Sequence, residues 1–335
     1  SPAPIATRPP PEVNPAPFAP QAERQPKRGR ICLRHHRLEK YRFARISTQE
    51  HFAMFMYSHP NVLPLPPNSL TMSSSLISVD LRAARNADLP AFPGSAFRGW
   101  LGTALRCARP TCPPDCPDAD RCPYRMVFKD EEVDINPYAL LAFRDNGGVK
   151  GFIKVHGDRR RYVPEILSRI HAHDNARHFT GRRFKITGIS AKTVEIPEFP
   201  LGDRTTVSFV TPVRLVRGGR MEIMPPLGSI LAASARAFNR VTKRFDAVHY
   251  PCRIPDGLLK QDVPVLDFDV ATVEVARRSR DGRILRFEGV TGWITYETSA
   301  IPPEAGNLLK AGEYLQIGKH TAYGFGGIIV TRAEA

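Results

Sequence analysis

The chain has 335 residues, enough for about two domains of ordinary size, and 42% of them are hydrophobic, so it can form real cores. Lys and Arg number 48 against 33 Asp and Glu, and the net charge of +15 indicates a polyanionic partner, most simply nucleic acid. The sequence contains neither an apolar run of about 18 residues nor a signal-peptide pattern, which argues against a membrane span or secretion and predicts a cytoplasmic protein.

Residues 1–71 differ in composition from the rest of the chain. Nine prolines fall among the first thirty residues, and basic residues follow at 27–30 and 34–37. Such a sequence cannot bury enough apolar surface to offset the entropy of ordering it. We therefore expect a Pro-rich, basic and poorly ordered N-terminal arm, which either touches nucleic acid electrostatically or is only a solvated tail.

The folded part is predicted to begin with a strand at residues 76–82, where apolar and polar residues alternate. Arg82 and Arg85 lie at the end of this strand. After Pro93 and Gly94, apolar residues recur at helical spacing, with Ser95 as a possible N-cap. Arg98 falls off the apolar stripe in the first turns of this helix, where a phosphate is favoured, although a solvated helix charge is the commoner case.

Four of the six cysteines cluster in the next segment: Cys107, Cys112, Cys116 and Cys122. Four thiolates suit a structural, tetrahedral zinc ion, because a reducing compartment keeps thiols out of disulfides. The spacing departs from paired Cys-x-x-Cys motifs, so an empty cluster and an iron–sulfur centre stay open as alternatives. Catalytic zinc is disfavoured, since four protein ligands leave no position for water.

The middle of the chain combines secondary structure with positive charge. Residues 149–156 are predicted to form a strand and residues 163–171 a helix, with a second strand after it. Between the first two lie Arg159, Arg160 and Arg161, and histidines and arginines recur between residues 171 and 183. Because no Cys or paired carboxylates accompany these histidines, the pattern favours an RNA-facing surface over a metal site.

The C-terminal half predicts a β-α-β-β-α-β order. Strands are expected at residues 205–215, 265–278, 284–298 and 328–330, with helices at residues 226–245 and 303–311. The longer helix carries a basic face formed by Arg236, Arg240, Lys243 and Arg244. The first half fits the same scheme loosely, so the fold class is α+β with two tandem ferredoxin-like (RRM-like) domains.

A glycine-rich loop at residues 317–327 precedes the final strand. Gly324, Gly326 and Gly327 allow close approach of another backbone or a ligand, while Lys319, His320 and Tyr323 supply donors and a flat surface. These are the parts of a loop that contacts phosphates and bases. A bulged strand whose glycines serve only packing is the alternative.

Five motifs occur together in order: FPGSAFRG at residues 92–99, CPY at 122–124, TPVRL at 211–215, GVTG at 289–292 and GKHT at 318–321. Over about residues 76–332 the chain thereby resembles the CRISPR repeat-processing endoribonucleases of the RAMP superfamily. The resemblance implies a groove that binds the stem-loop of the CRISPR repeat RNA and metal-independent cleavage at its base. It further implies a guide RNA retained within an effector complex with other CRISPR subunits.

The implied reaction is attack of a ribose 2′-hydroxyl on the adjacent phosphate. Many members of the family place a histidine near the first helix, whereas this chain has none between His59 and His156. The chain therefore resembles the arginine-based branch associated with type IV CRISPR systems. The candidates for catalysis are Arg98, Arg82 and Arg85, which would position the phosphate, and His320, the imidazole that the loop could bring to the cleft.

Two other functions fit part of the sequence. A non-catalytic RAMP subunit that caps or coats guide RNA would account for the charge and the loop equally well. A zinc-containing RNA-binding module unrelated to CRISPR would show no preference for a repeat hairpin. The predicted domains are residues 1–71 for the arm, 72–200 with a Cys-rich insertion at 107–122, and 201–335 with the glycine-rich loop.

Overall fold

The structure is a computed structural model. It describes residues 70, 72–83, 89–107, 116–129, 135–173, 179, 183–246, 252, 254, 256–278 and 282–333. All of them belong to one compact unit of the chain, Ile46–Ala335. The predicted N-terminal arm (except Leu70), Arg85 and Cys112 lie outside the described residues, and the predicted domain boundaries stay predictions.

The first half folds as one four-stranded sheet with two helices. Its elements are β1 (Ser73–Ala83), α1 (Gly94–Ala104), β2 (Tyr138–Asp145), β3 (Gly148–His156), α2 (Val163–Ala172) and β4 (Phe184–Glu195). The sheet order is β2-β3-β1-β4, and every neighbouring pair is antiparallel. Helix α1 begins one residue before the predicted cap Ser95, with Pro93 at the N-cap and no side-chain cap.

The second half repeats this arrangement. Its elements are β5 (Arg204–Val213), the hairpin β6 (Val216–Arg217) and β7 (Arg220–Met221), α3 (Leu227–Phe245), α4 (Asp256–Lys260), β8 (Val265–Arg278), β9 (Ile284–Glu297), α5 (Ala305–Leu315) and β10 (Ile328–Arg332). Its large sheet has the order β10-β5-β9-β8, again antiparallel throughout. Counted within each half, both four-stranded sheets have the order 4-1-3-2.

Apolar side chains explain why the helices cover these sheets. In the first half, Phe97 and Leu101 of α1 and Ile170 of α2 are buried in one core with the sheet. In the second half, helices α3 and α5 bury Ile230 and Leu309 in a corresponding core. The predicted α+β class is confirmed. Strand β2, which the sequence pattern did not reveal, completes the first sheet.

A third apolar cluster joins the two halves. Leu76, Leu141 and Phe152 of the first sheet pack with Ile329 of β10 and the partly buried Val210 of β5. The halves thus share a buried boundary, and segments near it are held in fixed relation to each other. Among the described helices, none is long and apolar enough to cross a membrane.

Buried polar groups cross the same boundary. Lys154 of β3 donates hydrogen bonds to the carbonyl oxygens of Glu313 and Tyr314 at 3.2 and 2.9 Å. Burial lowers the pKa of Lys154 to about 8, although the Glu313 charge acts in the opposite direction. Next along β3, His156 is 1% exposed and shares a 2.9 Å hydrogen bond between its Nδ1 and the Ser74 Oγ.

The buried His156 predicts a specific acid sensitivity. Burial, and secondarily the Lys154 charge, lower its pKa from 6.5 to about 3. Because the unfolded chain binds this proton at higher pH than the folded protein does, the stabilisation is fully present above pH 6.5 and is lost as the pH falls towards 3. Urea unfolding across this range should therefore show a steeper loss of stability for wild type than for His156→Asn. Equal slopes would contradict the prediction.

Candidate active site

The glycine-rich loop leaves α5 through a series of left-handed backbone conformations. The φ angles are +62° at Gln316, +82° at Gly318, +66° at His320, +85° at Gly324 and +83° at Gly326. L side chains rarely adopt such angles, so three of the five positions are glycine. A short 3₁₀ helix, Thr321–Tyr323, lies within the loop, and β10 follows, as the predicted turn before a final strand requires.

This loop lies directly against the start of α1. A Cβ added at Gly94 would lie only 2.5 Å from the Tyr323 carbonyl oxygen, and one at Gly324 only 2.9 Å from the Gly94 Cα. The two backbones therefore touch at positions where no side chain fits. The contact brings Tyr323, from the second half, beside the first turns of α1 in the first half.

The side chain of Gln316 connects the loop to strand β2 through hydrogen bonds. Its side-chain amide accepts a hydrogen bond from the Leu140 N–H and donates to the carbonyl oxygens of Leu140 and Phe325, at 2.8, 2.8 and 2.9 Å. Gln316 is 1% exposed, so all three bonds form away from water and are costly to lose. The loop is thereby fixed to strand β2.

Arg98 lies where the loop and α1 meet. Its guanidinium carbon is 4.7 Å from the centre of the Phe128 ring and 5.1 Å from that of Tyr323. Arg98 is partly buried, and its Nε atom is buried with no hydrogen-bond partner among the described residues. The side chain is thus held by aromatic faces and stays partly exposed.

Tyr138 of β2 is a deeply buried polar group that interacts with this arginine. Its hydroxyl forms no hydrogen bond of normal geometry within the described chain, and the residue is 4% exposed. Burial raises the pKa of Tyr138, while the charge and N–H groups of the adjacent Arg98 act to lower it. Tyr138 is therefore a neutral phenol beside a guanidinium at physiological pH.

A second group of aromatic rings lies between the loop and strand β9. Phe287 of β9 lies 4.5 Å from His320, 5.6 Å from Tyr323 and 6.1 Å from Phe325, measured between ring centres. The Arg277 guanidinium lies 4.5 Å from the centre of the Tyr323 ring. Tyr323 thus contacts two arginines and one aromatic ring, and it is itself only partly buried.

His320 is held in an unusual conformation within this group. It adopts the left-handed region that non-glycine residues rarely occupy. Partial burial, and then the charges of Arg214 and Lys319, lower the pKa of His320 below its usual 6.5. The imidazole is consequently neutral at pH 7, so it can accept a proton but is a poor proton donor.

The remaining loop residues predicted to bind RNA occupy two kinds of position. Lys319 is exposed at the tip. Gly324, Gly326 and Gly327 are buried, and the space beside Gly326 is filled by the Ile317 backbone. These glycines occupy the positions that a packing role requires, and a contact between them and RNA stays a prediction.

Arg82, at the end of β1, is engaged by the β2–β3 turn. Its guanidinium donates to the carbonyl oxygens of Asp145 and Asn146 and to the Asp145 carboxylate, at 2.9, 2.7 and 3.0 Å. A side chain held by three acceptors has fewer N–H groups left for a phosphate than Arg98 has. A catalytic role for Arg82 stays a prediction.

The two predicted basic groups lie side by side. The Arg159 guanidinium lies 5.7 Å from the centre of the Phe245 ring at the end of α3, and Gly157 packs against the Phe245 backbone. Four residues of α3 are exposed along the same helix: Arg236, Arg240, Lys243 and Arg244. These four residues form the α3 basic face, whereas the Arg159 side chain is mostly buried and pairs with Asp158 at 3.2 Å.

The Cys-rich segment contributes three of its four cysteines to a single cavity of about 570 Å³, lined by Cys107, Cys116 and Cys122 together with Arg121, Arg161, Arg169 and three acidic residues. The Cys122 Sγ accepts a hydrogen bond from Arg169 at 3.8 Å. Within the described residues, no three His, Cys, Asp or Glu side chains are placed to hold a metal ion. Because Cys112 lies outside the described residues, structural zinc stays a prediction based on spacing.

Four residues of the site were not identified from the sequence: Phe128, Tyr138, Arg277 and Phe287. Arg277 lies in an arginine-rich stretch before Asp281-Gly282, a charge and turn signal that could have pointed to it, whereas Phe128, Tyr138 and Phe287 are single aromatic residues that no local pattern marks as site residues. Their shared feature is contact with Arg98 or Tyr323, which only the folded chain reveals.

The fold and site define an α+β protein with two four-stranded antiparallel sheets and a glycine-rich loop where the two halves meet. Residues 207–328 match the family model for CRISPR-associated endoribonuclease Cas6. Residues 72–149 match a second model, AF_1859_N, described as an N-terminal domain. A search of curated proteins gives no match.

Solved Cas6 structures have a similar fold. One Cas6 product complex is 18% identical, with a TM-score of 0.52, and the match covers 79% of this chain and 100% of that one. A second product complex is 16% identical, with a TM-score of 0.54, and the match covers 78% and 99%. The Thermus thermophilus Cas6 is 15% identical, with a TM-score of 0.50, and the match again covers 78% and 99%. The chain is thus similar in fold to Cas6 proteins, in agreement with the motif resemblance.

Proposed function

We propose that this protein is a Cas6-type endoribonuclease. It binds the repeat stem-loop of precursor CRISPR RNA through two tandem ferredoxin-like domains and cuts the RNA without a metal ion. It then retains the guide RNA as a subunit of an effector complex. The match of residues 207–328 to the Cas6 family model and the net charge of +15 support this proposal.

The observation that carries the proposal is the position of Arg98. The residue lies in the first turns of α1, where backbone amides already favour an anion, and beside a loop that presents an exposed lysine. Its Nε is buried, but the side chain as a whole is partly exposed, so a phosphate oxygen could approach the guanidinium from its exposed side. A permanently charged, planar donor suits phosphate recognition.

The reaction requires in-line attack of the 2′-oxygen on phosphorus. The P–O bond to the 5′-oxygen breaks, giving a 2′,3′-cyclic phosphate and a free 5′-hydroxyl. Arg98 would neutralise the charge that grows on the non-bridging oxygens and hold the phosphate in line. Arginine cannot remove the 2′-proton, because its guanidinium stays protonated in proteins. In the arginine-based mechanism that we favour, water accepts this proton and protonates the leaving oxygen, which is compatible with a slow, single-turnover enzyme.

Incubation of the purified protein with its own repeat RNA in EDTA tests the proposal. We expect cleavage at one position, with a cyclic phosphate on the upstream product. Tight binding with intact RNA would overturn the enzymatic proposal and favour a non-catalytic cap. Equal binding of repeat and unrelated hairpins would contradict CRISPR repeat recognition altogether.

The exposed lysine of the loop gives a prediction about binding. If Lys319 contacts a phosphate in the ground state, Lys319→Ala should weaken affinity for repeat RNA and lower the slope of log K against log salt by about one. The rate at saturating protein should stay at the wild-type value. Arg204→Ala is the matched control, because Arg204 is exposed at the far end of β5 from the loop contacts at Thr211. An unchanged salt slope in Lys319→Ala would exclude the contact.

A further inference from the structure

A column of aromatic rings connects the Cys-rich segment to the candidate site. After Cys122 and Pro123 the chain forms one turn of π helix, Tyr124–Phe128. The Tyr124 and Phe128 rings stack with centres 5.6 Å apart, and Phe128 stacks on Tyr138 at 5.7 Å with planes only 8° from parallel. The column therefore runs from the π turn to strand β2, whose N–H and carbonyl groups at Leu140 hold Gln316.

The Phe128 ring reaches Arg98 through a notch in α1. A Cβ added at Gly102 would lie 2.6 Å from Phe128 Cε1, so only glycine lets the ring lie against the helix at this position. Gly102 follows Arg98 by four residues and is on the same side of the helix. The ring in the notch is thus next to the Arg98 side chain, in agreement with the 4.7 Å distance.

Arg98 is consequently bracketed by rings from both halves of the protein. Phe128 belongs to the π turn that follows the Cys-rich segment in the first half, and Tyr323 belongs to the loop of the second half. An unrestrained arginine side chain samples many rotamers and loses that freedom when it binds a phosphate. The two rings restrict those rotamers before RNA arrives, because a guanidinium between aromatic faces is attracted to each of them.

We propose that Phe128, seated in the Gly102 notch, is a positioning residue that sets the orientation of Arg98 for phosphate contact. The π turn that follows the Cys-rich segment is then part of the site through this ring. The inference rests on the proposed function, since it assigns to Phe128 an effect on RNA cleavage. Its geometric part, a guanidinium oriented by Phe128, holds for the protein without RNA.

Single-turnover cleavage tests the assignment. Phe128→Leu keeps an apolar side chain but removes the ring, and we expect the rate at saturating protein to fall on the order of 10- to 100-fold with little change in Kd. Phe128→Tyr keeps an aromatic ring and should cleave at a rate near that of wild type. Phe184→Leu is the control, because Phe184 is buried in the same core but lies on β4, at the opposite edge of the sheet from β2. Equal rate losses in Phe128→Leu and Phe184→Leu would overturn the proposal.

A double-mutant cycle separates positioning from general loosening. If Phe128 acts through Arg98, Phe128→Leu should have no further effect on the residual rate of Arg98→Ala. A full additional loss in that background would overturn the proposal. Gly102→Ala gives a second route that keeps the Phe128 side chain but displaces its ring from the notch, because the added methyl group occupies that space. It should slow cleavage in the same direction as Phe128→Leu.

NMR of the RNA-free protein distinguishes failure of this inference from failure of the proposed function. The side-chain protons of Arg98, assigned with Arg98→Lys, should show upfield ring-current shifts that are reduced in Phe128→Leu and kept in Phe184→Leu. Absence of these shifts in wild type would overturn the placement of Arg98 between the Phe128 and Tyr323 rings, even if the protein cleaves RNA. If the shifts are present but the protein cleaves no repeat RNA, the proposed endoribonuclease function and the role of Phe128 in cleavage are overturned. The placement of Arg98 between the two rings then still holds.

Discussion

Replacement of Arg98 by Ala is expected to lower the single-turnover cleavage rate by about 10²- to 10³-fold, equivalent to about 2.7–4 kcal/mol. The reason is that the guanidinium meets charge which develops on the phosphate mainly in the transition state. Affinity for repeat RNA should change little, because we expect many other basic side chains, including the exposed α3 basic face, to contribute to ground-state binding. Single-turnover assays over a range of protein concentrations give both the cleavage rate at saturating protein and the affinity for repeat RNA.

The control for Arg98→Ala is Arg204→Ala, which removes the same charge at an exposed position, the first residue of β5. A normal rate in Arg98→Ala would exclude the proposed role. Arg98→Lys should recover only part of the activity, because a lysine has one point charge in place of a planar fork and cannot be bracketed in the same way.

His320 decides between an arginine-only and a histidine-assisted mechanism. His320→Asn is the suitable substitution, because Asn tolerates the left-handed backbone found at this position better than Ala does. In an arginine-only site the variant cleaves at the wild-type rate. In a histidine-assisted site it is slow, and the wild-type rate falls as the pH drops through the lowered pKa of this imidazole.

The largest expected loss of stability follows from Glu313→Gln. Glu313 and Lys310 form an ion pair at 2.8 Å in which both side chains are 2% exposed, and the same carboxylate oxygen accepts the Val330 N–H. The substitution keeps the shape but leaves the buried Lys310 charge uncompensated, which typically costs about 3–5 kcal/mol. Urea unfolding at pH 7 measures the difference in free energy.

The control for this substitution is Glu297→Gln, at an exposed position at the end of β9, where the change should stay within about 0.5 kcal/mol. A loss below about 1 kcal/mol in Glu313→Gln would show that the buried pair is not essential. The Glu313 charge also favours the protonated form of Lys154, in opposition to the effect of burial. The variant should therefore destabilise a second buried lysine, at the junction of the two halves.

Long, strongly patterned elements could be predicted from the sequence. The predicted helix at residues 226–245 and strands at 265–278 and 284–298 agree with α3, β8 and β9 to within one residue. Strand β2 was missed, because six consecutive residues, 138–143, are buried and its sequence therefore lacks the alternation that marks a half-buried strand. Without β2, the surroundings of Tyr138 could not be anticipated.

The candidate site divides in the same way. The sequence alone determined the basic charge, the helix that carries Arg98 and the glycines of the loop, because these depend on composition, local periodicity and backbone conformations that few residues adopt. Only the tertiary structure decided which side chains meet. Arg98, Phe128 and Tyr323 are far apart in the chain and become neighbours through the Gly102 notch and the contact of Gly94 with Gly324, and such packing between distant segments has no local signature in a sequence.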